Sequence, residues 1–589
     1  MNYKLRKTFT RNPQEALKEI LLDRGVENIE YFLCPSKECE LNPYDLENIE
    51  IAAECLLKHL RNNSRICFVV DCDCDGFTSS AILWNYIKTI FPQSDLNFTV
   101  HDKKQHGLSD KIRWFVEEEQ FDLILLPDAG SFDGVYHQQL KEINTETICI
   151  DHHSLPDEYD MEKETPDTTI VVNNQLSPKY SNKSLCGAGV VYKFCQVLDD
   201  MLGIKKANDY LDLVALGEIA DVMSRTTNET NYLMMKGLTQ IRNGGFRALL
   251  EAQSFSLKEK ASYPYLGLTP IDVAFYIAPL INAITRVGSV QEKINMFYAF
   301  IEPDRIVKST KRGAKDGDTE TAAGQAARVG ANAKNRQNKL KEKALDLIDF
   351  KIQKEDLLEN NILIIEVEEE DNIPQELGGL VAMAIVTKYN KPCLIVRRNS
   401  EGLLQGSGRN NENFQDLPEL KTFLEKSGYF EYCAGHENAH GCGIEAAKLP
   451  SFLQYANSIL SKESFKNCYI VDYIFENPDN TFKEVGLALA DCSEYFGNGI
   501  PEIKIIVKNI PLSNILVMGA DKSSIKISTN GVDFVKFKDT NFIQEVQENR
   551  MKKLEIYGRL NLNTFAGKTS LQVFIDDYGF QEDISKYDF

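Results

Sequence analysis

The chain has 589 residues, 43% of them hydrophobic and 10% aromatic, which is enough for three or four domains with real cores. A formal net charge of −21 excludes a protein that coats nucleic acid indiscriminately, because that binding is driven by neutralising phosphates; local basic patches within an acidic shell remain compatible with it. No run approaches eighteen apolar residues, the basic start Met1–Lys7 is not followed by an apolar signal core, and the fourteen cysteines form no CxxC pair, so a cytoplasmic protein with reduced thiols and no membrane partner is expected.

Residues 1–50 read as a helical N-terminal embellishment, with an amphipathic stretch at Glu15–Leu22. From 51 to 245, short runs of Ile, Val and Leu alternate with amphipathic stretches. Ile66–Val70, Leu123–Leu126 and Ile148–Ile150 have the continuous apolarity of buried parallel strands joined by crossover helices, which makes this region α/β. Each run leads into an acidic island: Asp71-Cys-Asp73-Cys-Asp75-Gly76, Asp128-Ala-Gly130 and Asp151-His152-His153. A fourth island, Asp221, closes Leu216-Gly-Glu-Ile-Ala-Asp221. Ligand sites of open α/β sheets lie outside the strand carboxyl ends, so these islands are expected to converge in one crevice.

In an extended chain, residues two apart share a face, which predicts Asp71, Asp73 and Asp75 on one side with Cys72 and Cys74 on the other. Carboxylates so placed repel one another unless cations sit among them, and oxygen donors suit hard divalent ions, with imidazole favouring Mn²⁺. A calcium loop is excluded because its twelfth position would be Ile82 rather than Glu, and because an apolar strand precedes it. Thr78–Ser80 is expected to cap a helix over Ala81–Lys88.

Residues 246–350 read as a connector dominated by a helical pattern at Ala326–Phe350, after a breaker-rich loop at Arg312–Thr319. Residues 351–460 form a smaller α/β domain, with strands Ile362–Ile365 and Cys393–Val396 around a helix at Leu380–Tyr389. From 461 to 589 short strands and turns replace long helices. Ile503–Val507, Ser524–Ser528, Phe534–Phe537, Leu554–Tyr557 and Leu571–Phe574 suit a small antiparallel OB-like β-barrel, a fold that commonly binds single-stranded nucleic acid. Lys103-Lys104, Lys311-Arg312, Arg397-Arg398 and Lys552-Lys553 are candidate pieces of a phosphate path.

The four islands look like the four motifs of the DHH phosphoesterase superfamily, and the chain resembles its RecJ-type single-strand-specific exonucleases from near the start to the end. Cys186-Gly-Ala-Gly-Val-Val191, Pro279-Leu-Ile-Asn282-Ala-Ile-Thr-Arg286, Gly406-Ser-Gly-Arg409 and Gly435-His436-Glu-Asn-Ala439-His-Gly441 carry the resemblance further. It implies a parallel-sheet DHH domain, a long helical connector, a smaller α/β DHHA1-type domain and the C-terminal OB-like barrel. It also implies two ions, Mn²⁺ or Mg²⁺. One would be held by Asp73 and Asp128, with Asp71 as a further candidate donor; the other by Asp75, Asp128, His152 and Asp221, with Asp128 bridging. Asp151 would orient an imidazole and His153 would contact the scissile phosphate, while Asn282, Arg286, Ser407, Arg409 and His436 would bind substrate. Where many relatives have Asp-Asn-Gly this chain has Asp128-Ala-Gly130. Ala434 stands before Gly435-His436, and Leu280 and Ile284-Thr285 replace residues common in the family, which bears on substrate grip more than on chemistry.

The resemblance therefore implies a metal-dependent exonuclease that hydrolyses single-stranded DNA from the 5′ end in recombination, repair or replication. Its partners would include a single-strand-binding protein or other recombination and replication proteins. Two other readings stay open: a DHH phosphodiesterase for short oligonucleotides or cyclic dinucleotides, and a catalytically silent DHH-fold replication scaffold. The first class is typically shorter and lacks the barrel. The second would be expected to have lost metal ligands that this chain retains.

Overall fold

Apolar runs too short to be helices pair side by side in the computed structural model, which describes residues 1–102, 105–155, 159–565 and 567–581. The basic pair Lys103-Lys104 lies outside the described residues. The chain divides into two compact units, one comprising Arg24–Asn338 with Gly497–Ile500 and the other Met1–Asp23, Lys339–Phe496 and Pro501–Phe589.

In the first unit, β1 (Arg65–Val70), α1 (Cys74–Ile90), β2 (Asp95–Val100), β3 (Leu123–Pro127), β4 (Glu146–Asp151) and β5 (Thr169–Asn173) build a five-stranded parallel sheet of order β2-β1-β3-β4-β5. The three expected strands are its centre, buried on both faces. Sequence reasoning missed the edge strands β2 and β5. Asp95-Leu-Asn-Phe-Thr-Val100 is half exposed and alternates polar with apolar residues, so it lacks the continuous apolar run of a central strand.

One face of the sheet is covered by α1, α2 (Gly187–Leu202) and α3 (Leu211–Ala220), and all three share a single apolar core with the sheet. The register places Pro127 beside Ile150 and Asp151 beside Asn173, so the acidic islands after β3 and β4 emerge side by side.

Farther along the unit, a helical turn at Pro270–Asp272 runs through a π-helical turn at Val273–Ile277 into α4 (Ala278–Val287). By composition alone the stretch Pro270–Val287 is apolar enough to cross a membrane, yet Val273, Ile277, Leu280, Ile281 and Ile284 are buried in the core of this unit. The breaker-rich segment at 312–319 lies between the paired strands Ile306–Lys308 and Thr319–Thr321. The connector helix α5 spans Ala322–Lys354, four residues longer at each end than the sequence pattern indicates, and the boundary between the units falls inside it.

The second unit contains β6 (Leu363–Glu366), α6 (Gly378–Tyr389), β7 (Cys393–Arg398), β8 (Leu403–Arg409), β9 (Phe430–His436) and β10 (Ala439–Glu445) in a sheet of order β9-β10-β8-β7-β6, parallel only between β6 and β7. After β11 (Cys468–Val471) come β12 (Tyr473–Phe475), α7 (Asn480–Asp491), β13 (Lys504–Pro511), β14 (Ile515–Met518), β15 (Ser524–Thr529), β16 (Val532–Lys536), β17 (Lys553–Phe565) and β18 (Lys568–Gln581).

These last strands form a seven-stranded sheet of order β12-β13-β17-β18-β16-β15-β14. All five expected strands are present, but the pattern is mixed rather than purely antiparallel, because β12 pairs parallel with β13 and β16 parallel with β18. The expectation of no long helix is corrected by the twelve-residue α7, whose Asp479 side chain caps it by accepting from the Phe482 N–H at 2.9 Å. The N-terminal segment 1–50 is not one embellishment. Asn2–Leu5 forms a parallel strand with β11, while residues from Arg24 onward belong to the first unit.

Candidate metal centre

The first island does not stay extended. After β1 the chain turns, and Asp73 becomes the N-cap of α1, its Oδ1 accepting from the Gly76 N–H at 3.0 Å. The helix thus begins seven residues before the expected Ala81. Thr78 and Ser79 lie inside it and donate to Cys74 O (3.0 Å) and Asp75 O (2.7 Å) rather than capping it. An upstream Asp with its carboxylate on the first-turn amides is as good a cap as Ser or Thr, so the earlier start wins. Gly76 is required here, since a Cβ on it would stand 2.4 Å from Asp71 Cβ.

The early helix start separates the three aspartates. Asp75 sits in the first turn of α1 and receives the N–H groups of Gly187 at 2.7 Å and Ala188 at 3.0 Å, the N-terminus of α2, whose dipole favours a carboxylate. Asp128 follows β3 in the left-handed region, φ 72°, with its N–H held by Ile150 O at 2.7 Å. A Cβ on Gly187 would lie 2.6 Å from Asp128 Cβ, and one on Gly217 of α3 would lie 2.7 Å from Asp75 Oδ1. The Asp128 and Asp75 carboxylates are therefore backed by glycines on two helices.

His152 Nε2 is the focus of the group, 3.2 Å from Asp128 Oδ1, 3.6 Å from Asp221 Oδ2 and 3.8 Å from Asp75 Oδ2. Two overlapping donor sets result, Asp75–His152–Asp221 and Asp128–His152–His153, each with atoms within 4.8 Å of one another. Asp128 Oδ1 is buried without a hydrogen-bond partner. Burial, then the charges of Asp75 and Asp73, push the Asp128 carboxyl well above the usual range and raise that of Asp221 to about 8. Burial lowers the pKa of His152 and keeps it neutral, the form in which imidazole is a ligand. An orphaned buried oxygen, mutually repelling carboxylates and a neutral imidazole fit a divalent cation.

Asp151 plays a different part. Its Oδ1 accepts from the His152 N–H (2.7 Å), the His153 N–H (3.1 Å) and His153 Nδ1 (2.7 Å), and its Oδ2 accepts from the Ser131 N–H (3.1 Å). Burial opposes its charge, but the hydrogen bond from His153 holds it ionised, and against burial the same contact raises His153 to about 9.

Asp71 is fully buried and its oxygens are engaged by His101 Nε2 at 3.0 Å and by His106 Nδ1, apart from the donor sets around His152. His101 also meets Asp110 through Nδ1 at 2.7 Å. Burial opposes it, but the hydrogen bonds to Asp110 and Asp71 raise its pKa to about 9. His106 stands 5.6 Å, ring to ring, from His153. Sequence reasoning missed both histidines, because a lone His in a polar loop after an edge strand carries no distinguishing pattern.

A cavity of about 180 Å³ opens on the cluster, lined by Asp73, Asp75, Asp221, Asn282, Thr285 and Arg286. The Thr285 hydroxyl donates to Cys72 O, which ties α4 to the first island. Arg286 is partly buried here, and desolvation lowers its pKa. Ser407, Arg409 and His436 belong to the other unit. Ser407 pairs across β8 and β10 with Gly441, and Arg409 pairs with Ala439, its guanidinium packed so closely on Gly379 that a Cβ there would be 2.3 Å from Nη2. His436, on β9, also pairs with Ala439 and lies at the edge of a separate Asn-rich pocket.

Residues 65–218 match the DHH family, N-terminal domain, and residues 482–577 match the RecJ OB domain. The chain is 33% identical over 577 residues to a putative SPbeta prophage-derived single-strand DNA-specific exonuclease of Bacillus subtilis (strain 168), covering 95% of each chain. It is 23% identical over 584 residues to the single-stranded-DNA-specific exonuclease RecJ of the same strain, covering 96% of this chain and 68% of that one. In fold it resembles the crystal structure of RecJ in complex with Mn²⁺ from Thermus thermophilus, with a TM-score of 0.71 and 20% identity over 99% of this chain and 80% of that one.

Proposed function

This chain belongs to the RecJ-type exonucleases of the DHH phosphoesterase superfamily, and on that premise we propose how its residues carry out the family's reaction. The protein is a divalent-metal-dependent exonuclease that hydrolyses phosphodiester bonds of single-stranded DNA, using Mn²⁺ or Mg²⁺. The polarity is 5′ to 3′ in our reading. The setting is cytoplasmic DNA recombination, repair or replication, alongside a single-strand-binding protein or other proteins of those processes.

Asp73, Asp75, Asp128, His152 and Asp221 would hold two ions, with Asp128 shared. When bound, such a pair supplies a hydroxide nucleophile at neutral pH and Lewis-acid stabilisation of the departing oxygen. In our reading Asp71 is a positioning residue rather than a ligand, since both its oxygens are already committed to histidines. Asp151 fixes the His153 ring and keeps it protonated, and His153 donates to the scissile phosphate as charge builds on it. Arg286 and Asn282 bind phosphate from the α4 side of the same cavity. Ser407, Arg409 and His436 bind the strand from the second unit, and residues 461–589 add grip on single strands without taking part in chemistry.

The observation that carries this reading is the buried Asp128 oxygen without a hydrogen-bond partner, facing a neutral His152 among Asp75 and Asp221. The test is hydrolysis, with Mn²⁺ or Mg²⁺, of single strands labelled at the 5′ or the 3′ end, of blunt duplex and of a cyclic dinucleotide. Mononucleotides released first from the 5′ end of single strands are expected. Preferential cleavage of the cyclic dinucleotide, or activity that survives complete chelation, would overturn the assignment.

A further inference from the structure

Asn282 and Arg286 line the metal cavity from one face of α4, and that face does not end at the cavity. Helical spacing carries it towards the N-terminus through Pro279 to Phe275, in steps of four, three and four residues from Arg286. The opposite face, Val273, Ile277, Leu280, Ile281 and Ile284, is core. Phe275 nevertheless stands 69% exposed, and its neighbour Tyr276 is 38% exposed. Both lie in the π-helical turn Val273–Ile277, and such turns recur at functional sites because the extra residue re-aims side chains. At 1.5 Å per residue, Phe275 lies roughly 11 Å along the helix from Asn282 and about 16 Å from Arg286. A single strand with a phosphate at Arg286 covers that distance within a few nucleotides.

We infer that Phe275 and Tyr276 form a stacking platform for nucleobases in the body of the strand, continuous with the phosphate contacts of Asn282 and Arg286. The inference rests on the nuclease reading and names residues that would grip its substrate. Single-strand binders pair a cationic track for the backbone with aromatic faces for the bases, and stacking is tolerant of sequence because every base has a π-face. This helix face offers that combination: a cation at the cavity, and flat rings farther out that the core does not need. A protein partner would use the rings as well, but it would have no reason to lie in line with the phosphate-binding pair.

The experiment compares wild type with the Phe275→Ala/Tyr276→Ala double variant on a thymidine dinucleotide, on dT20, and on a 20-mer whose body is abasic, all with Mn²⁺. The double variant is expected to raise KM for dT20 by about tenfold, in line with the loss of one stacked base. The dinucleotide, which reaches only the cavity, should respond far less. Wild type should prefer dT20 to the abasic strand, and the variant should lose that preference. Restoring the rings as Phe275→Trp/Tyr276→Phe should restore it, which a purely structural effect would not. Equal KM for dT20 in wild type and double variant would overturn the platform while leaving the nuclease reading intact. Equal losses on dinucleotide and dT20 would overturn it too, by showing a distorted cavity. A wild type that degrades none of these strands would overturn the nuclease reading and the platform with it.

Discussion

Gly187→Ala tests whether the glycine backing of the metal centre sets its geometry. The added methyl would stand 2.6 Å from both Asp128 Cβ and Asp128 Oδ1 and 2.8 Å from Cγ, where ordinary contact is 3.4–4 Å. Something must move by about an ångström. Asp128 cannot retreat as a body, because its backbone is already left-handed at φ 72° and its N–H is held by Ile150 O at 2.7 Å. The start of α2 cannot retreat either without withdrawing the Gly187 and Ala188 amides, at 2.7 and 3.0 Å, from Asp75.

Both ways of relieving the clash displace a proposed ligand, and a misplacement of about 1 Å costs on the order of 100-fold in rate. Overpacking of this kind costs about 1–3 kcal/mol of stability. The expected outcome is a folded protein that melts a few degrees lower, binds Mn²⁺ more weakly in calorimetry, and releases nucleotides from labelled dT20 about 100-fold more slowly. Activity within threefold of wild type with both Mn²⁺ equivalents retained would refute the reasoning, because it would mean that neither Asp75 nor Asp128 is held where the structure puts it.

Asp128→Asn should abolish nucleotide release while raising the melting temperature of the metal-free protein by at least about 2 °C, since Asn avoids the cost of protonating a carboxyl whose pKa is pushed up by burial and by Asp75 and Asp73; a lower melting temperature would count against that electrostatic account. Metal binding should also depend on pH. Asp221, raised to about 8 without metal, must lose its proton to act as a ligand. Apparent Mn²⁺ affinity should therefore climb by up to about tenfold per unit between pH 6 and 8. Calorimetry in two buffers of different ionisation enthalpy would expose the absence of proton release.

Asp71→Asn should retain both metal equivalents, yet lose on the order of 3 kcal/mol of stability by stranding His101 and His106; loss of one equivalent would instead make Asp71 a ligand. Because His101 is raised from 6.5 to about 9, its contribution is fully present below pH 6.5 and disappears as pH rises through 9. Urea midpoints across that window should slope less steeply in Asp71→Asn than in wild type. His153→Ala should lower turnover with metal stoichiometry preserved, and a missing equivalent in that variant would contradict the phosphate-contact role.

The centre of the parallel sheet, the order of the acidic motifs and the family were legible in the sequence. Apolar runs of three to five residues, each ending in an acidic island, are too short for helices and read as buried strands, and acidic residues at the carboxyl ends of parallel strands share the crevice above the sheet. The sequence also located five strands of the C-terminal domain, since these runs meet turns at both ends. It did not determine which way each aspartate of Asp71-Cys-Asp73-Cys-Asp75 faces. That depended on where α1 starts, and Asp73 capping the Gly76 amide turned an expected three-carboxylate face into a cap, an amide-held oxygen donor and a buried partner for two histidines.

Edge strands such as Asp95–Val100 were equally out of reach, because a half-exposed strand carries a mixed pattern that no local rule separates from loop. The pairing of Asn2–Leu5 with Cys468–Val471 joins residues more than 460 positions apart and leaves no local trace in either segment. Only tertiary contact could bring His101 and His106 to Asp71, and only the structure shows the π-helical turn at Val273–Ile277 with Phe275 left exposed. Contacts between residues distant in sequence are chosen by packing, and packing is a property of the assembled fold rather than of any window of the chain.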